Sequence, residues 1–214
     1  MLKKTQVLCI HDNKFNNITS YIRANDEDIN STEHLKILGF FFDRNPNATY
    51  HVTQVIGKFY NKLWTLRFLK KSGMSPDNLL KVYKSVLLPS VEYCSVVYGS
   101  LIPDYLSKKL EQVQKQAVKI MFGWGVDYGK LLEDGIIEAL EDRRRKDTLK
   151  FANKALMDPR FGERWFPRNE VNREARESTR RPFKEKMART ERTKNNPIEY
   201  MIRLLNEQSS IRHI

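Results

Sequence analysis

The side chains best placed for chemistry lie between Asp43 and Asp77, a stretch with no acidic residue that carries Lys58, Lys62, Arg67, Lys70 and Lys71. Helical spacing sets Gln54, Gly57, Asn61 and Trp64 on one stripe, at steps of three and four, opposite an apolar face of Val52, Val55, Ile56, Phe59, Leu63 and Leu66. An amide, a glycine and an indole flanked by cations suit the minor groove of an A-like duplex. That groove is wide and shallow, and it is read by shape and 2′-hydroxyl contacts while Lys and Arg neutralise phosphates. The competing reading is a solubilising helix face with Trp64 turned into the core.

A second basic cluster, Arg143-Arg144-Arg145-Lys146, falls in the first turns of a helix expected over Leu140 to Met157. Cations there oppose the helix dipole. Something negative would offset them, either Glu141 and Asp142 or a bound phosphate. From Glu141 to Lys194 there are 18 basic and 10 acidic residues, so this quarter of the chain supplies +8 of a net +12. That net charge, with a pI near 9.7, favours a polyanionic partner such as nucleic acid; the alternative is a solvated basic surface.

Other chemistries find little support. Cys9 and Cys94 stand far apart with no Cys or His at metal-ligand spacing, and both read as reduced, buried thiols. His11, His34, His51 and His213 are scattered. Asp26-Glu27-Asp28 lies in a polar turn, where carboxylates are usually solvated. The start, MLKKTQVLCI, lacks an apolar stretch long enough for a signal peptide, so an intracellular setting is expected, with nuclear residence left open. The most apolar run, Ser85 to Tyr98, contains Pro89 and Glu92 and falls short of the ~20 residues of a membrane span, so it reads as a buried helix pair and no membrane partner is expected.

The elements that must position these residues begin with three short β-like runs, Val7 to Ile10, Ile18 to Ile22 and Leu35 to Phe42, divided by Asn- and Asp-rich turns. The first starts so near Met1 that its edge is expected to lie open, as in a domain cut mid-fold. After Asn45-Pro46-Asn47 comes the helix described above, ending at Gly73. A second helix is capped by Ser75 with Pro76 at its first position; its stripe is Leu79, Leu80, Tyr83, Val86 and Leu87, and Pro89 should kink or break it. A third starts near Pro103, carries Leu106, Leu110, Val113, Ala117, Ile120 and Met121, shows Lys, Gln and Glu on its other face, and stops at Gly123. Arg168 to Asn195 is expected to pack poorly, before a short amphipathic stretch from Pro197 to Asn206. The expected class is α+β, mainly α: strands over 1–43, a helical domain over 44–157, and a basic, partly ordered tail over 158–214 with a short terminal helix.

The order of these elements resembles the end of a non-LTR (LINE-type) retrotransposon reverse transcriptase. KKTQVLCI followed by LKILGFFFD is similar to the last palm strands, where Lys-Thr-x-x-Leu precedes a Leu-Gly-x-x-x-Asp strand. SPDNLLKVYKSVLLPSVEYCSVVYG and LEQVQKQAVKIMFG resemble the thumb helices that follow, and RTERTKNNPIEYMIRLLNE resembles the terminal segment. The resemblance implies a small antiparallel remnant of the palm followed by a helical thumb. The implied activity is RNA-directed DNA synthesis, with a Phe/Tyr-x-Asp-Asp turn and an upstream Asp holding two magnesium ions. Those motifs do not occur in this sequence, nor does any Asp-Asp pair, whereas two-metal chemistry needs carboxylates converging on ions roughly 4 Å apart.

The resemblance also places Gly39 in a primer-grip-like hairpin, where it would let the backbone approach a primer; otherwise it is a glycine at a sheet bend. Retroviral enzymes carry a similar Gln, Gly, Trp stripe along the minor groove, at different spacing. Three functional expectations follow: an RNA/DNA duplex gripped through backbone contacts, alongside palm and fingers outside this chain; a transposon-derived helical protein-interaction module or relic; or a piece of a complete polymerase. No cofactor is expected for this chain itself. Purified chain given primed RNA, magnesium and nucleotides is expected to leave the primer unextended, because positioning without the metals cannot stabilise the charge on the transferring phosphoryl group. Extension above a mock preparation would overturn that expectation.

Overall fold

The computed structural model describes residues 5–10, 21–24, 27–44, 48–169, 181–187, 190 and 194–211. Several expectations fall outside them: Ile18 to Ser20, Asp26, the Asn45-Pro46-Asn47 break, and most of the tail between Glu170 and Thr193. The class is α+β and mainly helical, with two small antiparallel hairpins ahead of the helices.

Strand β1 (Tyr21–Ala24) pairs with β2 (Glu27–Asn30), and β3 (His34–Ile37) pairs with β4 (Phe40–Asp43). Val7 to Ile10 is not a strand. It contributes one bridge, Val7 to Ser31, with Thr32 N–H donating to the Val7 carbonyl at 2.7 Å. The run Leu35 to Phe42 folds back on itself rather than extending. Leu38 and Gly39 both take positive φ, 48° and 87°, the pattern of a two-residue hairpin turn whose twist matches the strands. Phe40 is buried against His51, while Phe42 stays more than a third exposed.

Helix α1 (Thr49–Lys71) lays Val52, Val55, Ile56, Phe59, Leu63 and Leu66 into the core, packing mainly on α5 (Asp104–Phe122) and also on β4. Helix α2 (Pro76–Val82) begins as expected, with Ser75 Oγ accepting from Asn78 N–H and proline in the first turn. Pro89 does not break it. Tyr83–Leu87 widens into a π-helical turn, in which Leu88 N–H reaches five residues back to the Tyr83 carbonyl, and α3 (Leu88–Glu92) continues the run. Proline lacks an N–H and its ring clashes with the carbonyl four residues earlier; the wider turn moves that carbonyl aside. Val86 consequently points outward. The short α4 (Ser95–Tyr98) follows, and Cys9 and Cys94 are free and only half-buried.

Gln114 departs from the expected polar outer face of α5: it is buried and accepts from Tyr83 Oη at 2.5 Å. Its amide nitrogen donates to Tyr128 Oη at 2.7 Å and to the Glu138 carbonyl at 2.9 Å. Burial pushes the Tyr83 and Tyr128 hydroxyls well above the usual phenol range, keeping them neutral donors. This network joins the π turn, α5, α6 (Tyr128–Glu133) and the loop that leads into α7 (Leu140–Met157).

A second cluster forms where α7 meets α8 (Gly162–Trp165) and α9 (Pro197–Ile211): Ala152, Ala155, Phe166, Phe183, Met201, Ile202 and Leu205. Helix α9 runs five residues past its expected end. Phe183, in a segment expected to pack poorly, is buried. Asn206 accepts from Phe183 N–H and donates to its carbonyl, both at 3.0 Å, as a neighbouring strand would.

His51 is buried among Phe40, Phe41 and Tyr98, and Phe41 N–H points at its Nδ1 at 3.4 Å. Burial holds its pKa below the ordinary 6.5, helped by the Lys58 charge and opposed by Asp43. The unfolded chain therefore binds the extra proton first. Stability should be unaffected above about pH 6.5 and should fall as the pH drops through and below that value, levelling off beneath the folded pKa. Chemical denaturation at about pH 7.5 and about pH 5.5 should show a smaller loss for His51→Phe than for the parent. Equal losses would remove His51 from the acid response.

Candidate nucleic-acid interface

Because Leu63 and Leu66 are fully buried on one side of α1, the opposite stripe is forced outward. Gly57, Lys58, Asn61 and Trp64 are exposed, and Gln54 is half-buried. Trp64, 64% exposed, is not in the core; it stacks on Phe68 with ring centroids 5.4 Å apart. Arg67, Lys70 and Lys71 are exposed, and Lys62 is half-buried with Nζ donating to the Val86 carbonyl at 3.4 Å. Lys70 and Lys71 also complete the last turn of α1, where positive charge suits the helix dipole.

Gly57 is the most informative position on this stripe. It sits mid-helix, where glycine costs roughly 1 kcal/mol relative to alanine. A Cβ built there meets nothing within 4 Å. Among the described residues no packing constraint calls for glycine at this point, whereas a backbone approached closely from outside would.

Sequence reasoning missed the aromatic row along the same face. Tyr60, Trp64 and Phe68 follow one another at four-residue steps and are all at least two-fifths exposed. That i, i+4 spacing was available in the sequence and is the signal that could have found them. It also missed Lys119 and Trp124, at the end of α5 and in the turn beyond it, which no helical periodicity marks.

The structure does not bring Arg143 to Lys146 together as one open surface. Arg143 is held by Glu92 and Glu138, which raise its pKa further, and Lys146 by Glu138; Arg145 meets Glu207 at 2.5 Å. Arg144 is buried, with Nη2 donating to Ser107 Oγ at 2.7 Å and Nη1 without a partner among the described residues. Glu141 and Asp142 do lie in the first turn of α7, as expected, and Glu92, Glu138 and Glu207 add direct ion pairs from outside the helix. A cleft of about 930 Å³ beside this region is lined by six cations, among them Lys108, Lys115 and Arg145, and by three carboxylates, Asp104, Glu111 and Glu141, so its charge is mixed with a basic excess.

Gly39 occupies the hairpin turn next to Tyr93, whose Oη donates to the Leu38 carbonyl at 2.5 Å. Its glycine is accounted for by the positive φ of the turn. Among the described residues no group of three or more His, Cys, Asp or Glu is placed to hold a metal ion, and no helix is long and apolar enough to cross a membrane.

No family model matches the chain, and no solved structure matches it. Among curated proteins it is similar to the RNA-directed DNA polymerase from mobile element jockey of Drosophila funebris, with 27% identity over 89 residues. The match covers 41% of this chain and 10% of that protein, so the chain matches about a tenth of its relative's length. This distant similarity supports a relationship to the reverse transcriptases of non-LTR mobile elements.

Proposed function

We propose that the chain binds nucleic acid, with α1 acting as the thumb helix of a reverse transcriptase-derived protein and lying along an RNA/DNA template-primer duplex. The observation that carries this reading is Gly57. It stands bare on an exposed stripe, between Lys58, Lys62 and a row of exposed rings, on a helix with no acidic residue. A backbone without a side chain can approach the sugar edges of a shallow groove while flanking cations take the phosphates. The similarity to a mobile-element polymerase is the second support. Since such binding goes through backbone and shape, it should depend on salt far more than on sequence. The palm and fingers of a polymerase would be partners in this arrangement, and magnesium would belong to their catalytic carboxylates.

The alternative, a helical protein-interaction module, has the exposed row Tyr60, Trp64 and Phe68 in its favour. An interface of that kind would be little affected by moderate salt, because apolar burial rather than counterion release would drive it.

Changing Lys58 and Lys62 together to Glu should weaken binding to any primer-template duplex. It should also flatten the salt dependence by roughly 1 in log–log slope for each phosphate no longer neutralised. Gly57→Leu should raise the denaturation midpoint slightly, since leucine is the better helix former and meets open space, yet weaken duplex binding by holding the helix off the groove. Fluorescence anisotropy with a labelled hybrid at low salt reads both variants. Parent-like affinity in the two together would make α1 a scaffold element only.

A further inference from the structure

The ends of α1 and α5 enclose a depression that α1 alone does not explain. Its volume is about 730 Å³, within the roughly 300–1,000 Å³ range of ligand clefts. Arg67, Lys70 and Lys71 line it from α1, and Gln116, Lys119 and Trp124 from α5 and the following turn. It thus holds four cations and no carboxylate, and none of the four is ion-paired among the described residues. Trp124 is 86% exposed, with Lys119 Nζ 5.4 Å from its ring centroid. Gly123, at φ 107° and ψ 170°, takes a backbone conformation open essentially to glycine alone, and so sets where Trp124 departs from the helix.

We propose that this depression is a site for an unpaired nucleotide of a single-stranded nucleic acid, with the base stacking on Trp124 and neighbouring phosphates held by Arg67, Lys70, Lys71 and Lys119. The cations set the sign of the ligand, and the indole sets its kind. An acidic peptide would satisfy the charges but leave a flat, exposed ring unmatched. A duplex has its base faces already stacked, whereas an unpaired base offers one, and stacking on an aromatic ring tolerates any base. Gln116 is a further hydrogen-bonding group at the wall. The site extends the nucleic-acid reading of α1 to a second element and a different structural class of ligand, and the two can be tested apart.

The test compares full-length parent, Trp124→Ala and Trp124→Phe by anisotropy with labelled oligothymidine and with a blunt RNA/DNA hybrid of equal length. Trp124→Ala should lose about five- to tenfold in affinity for the single strand, the lower end of what one stacked base contributes, and stay within about twofold of the parent on the hybrid. Trp124→Phe should keep most of the affinity. Because Trp124 is largely in solvent, the variants should fold like the parent, which circular dichroism verifies. Three results would overturn the proposal: no loss on oligothymidine, equal losses on both ligands, or displacement of oligothymidine by polyglutamate as effectively as by an unlabelled strand of equal charge. If the parent fails to bind the hybrid but binds oligothymidine through Trp124, the duplex reading of α1 falls and this one stands. If the Lys58 and Lys62 variant loses the hybrid while Trp124→Ala loses nothing, the reverse holds.

Discussion

Burial of one face of α1 is the constraint on which the rest of the molecule depends. Phe59, Leu63 and Leu66 are wholly inside, and each such side chain contributes about 1.5–3 kcal/mol as an upper estimate. Rotating the helix by a single residue would swing the apolar row about 100° away from α5, so the energy that anchors the helix also aims its other side. The outward direction of Gly57, Asn61 and Trp64 is therefore a by-product of packing. Hairpin β3–β4 closes the near end of the same core through Phe40, so the short strands and the helices form one packed unit there.

Polar contacts inside the body are arranged by a different rule. Gln114 is the hub: its amide oxygen accepts from Tyr83 and its nitrogen supplies Tyr128 and the Glu138 carbonyl, so a buried amide that would be costly unpaired is instead satisfied from three elements. The basic start of α7 follows a similar principle, with Glu92, Glu138 and Glu207 brought in from other elements to meet Arg143, Lys146 and Arg145. Arg144 is less well served: its buried Nη1 has no partner among the described residues, one of the less favourable arrangements there.

Much of the helical frame was legible. Helices α1 and α5 carry a 3.6-residue rhythm bounded by strong punctuation, and Leu140–Met157 forms the helix expected there. What the sequence hid is what depends on partners far along the chain. Arg143 and Glu92 are 51 residues apart and Arg145 and Glu207 are 62, so a run of cations looked like a surface when three of its members were already paired. The π turn at Tyr83–Leu87 has no residue signature beyond the proline that makes it necessary. The split of Leu35 to Phe42 into two strands was hidden from the residue pattern, though the resemblance placed a hairpin at Gly39, because Leu38, a branched side chain in a left-handed turn, is not a turn residue by type. At the candidate interface, spacing gave the α1 stripe, while Trp124 became visible only once the ends of two helices were seen side by side.

Leu38 leads to one further consequence. It holds a conformation that costs an ordinary L-residue about 1–2 kcal/mol, and it places an apolar side chain 87% in solvent. Asparagine or glycine would make this turn with less strain. The hairpin that closes the near end of the core is therefore less sturdy than its own topology permits. It keeps a reserve of stability, held at a single position on its tip, that one substitution would release without moving any buried side chain.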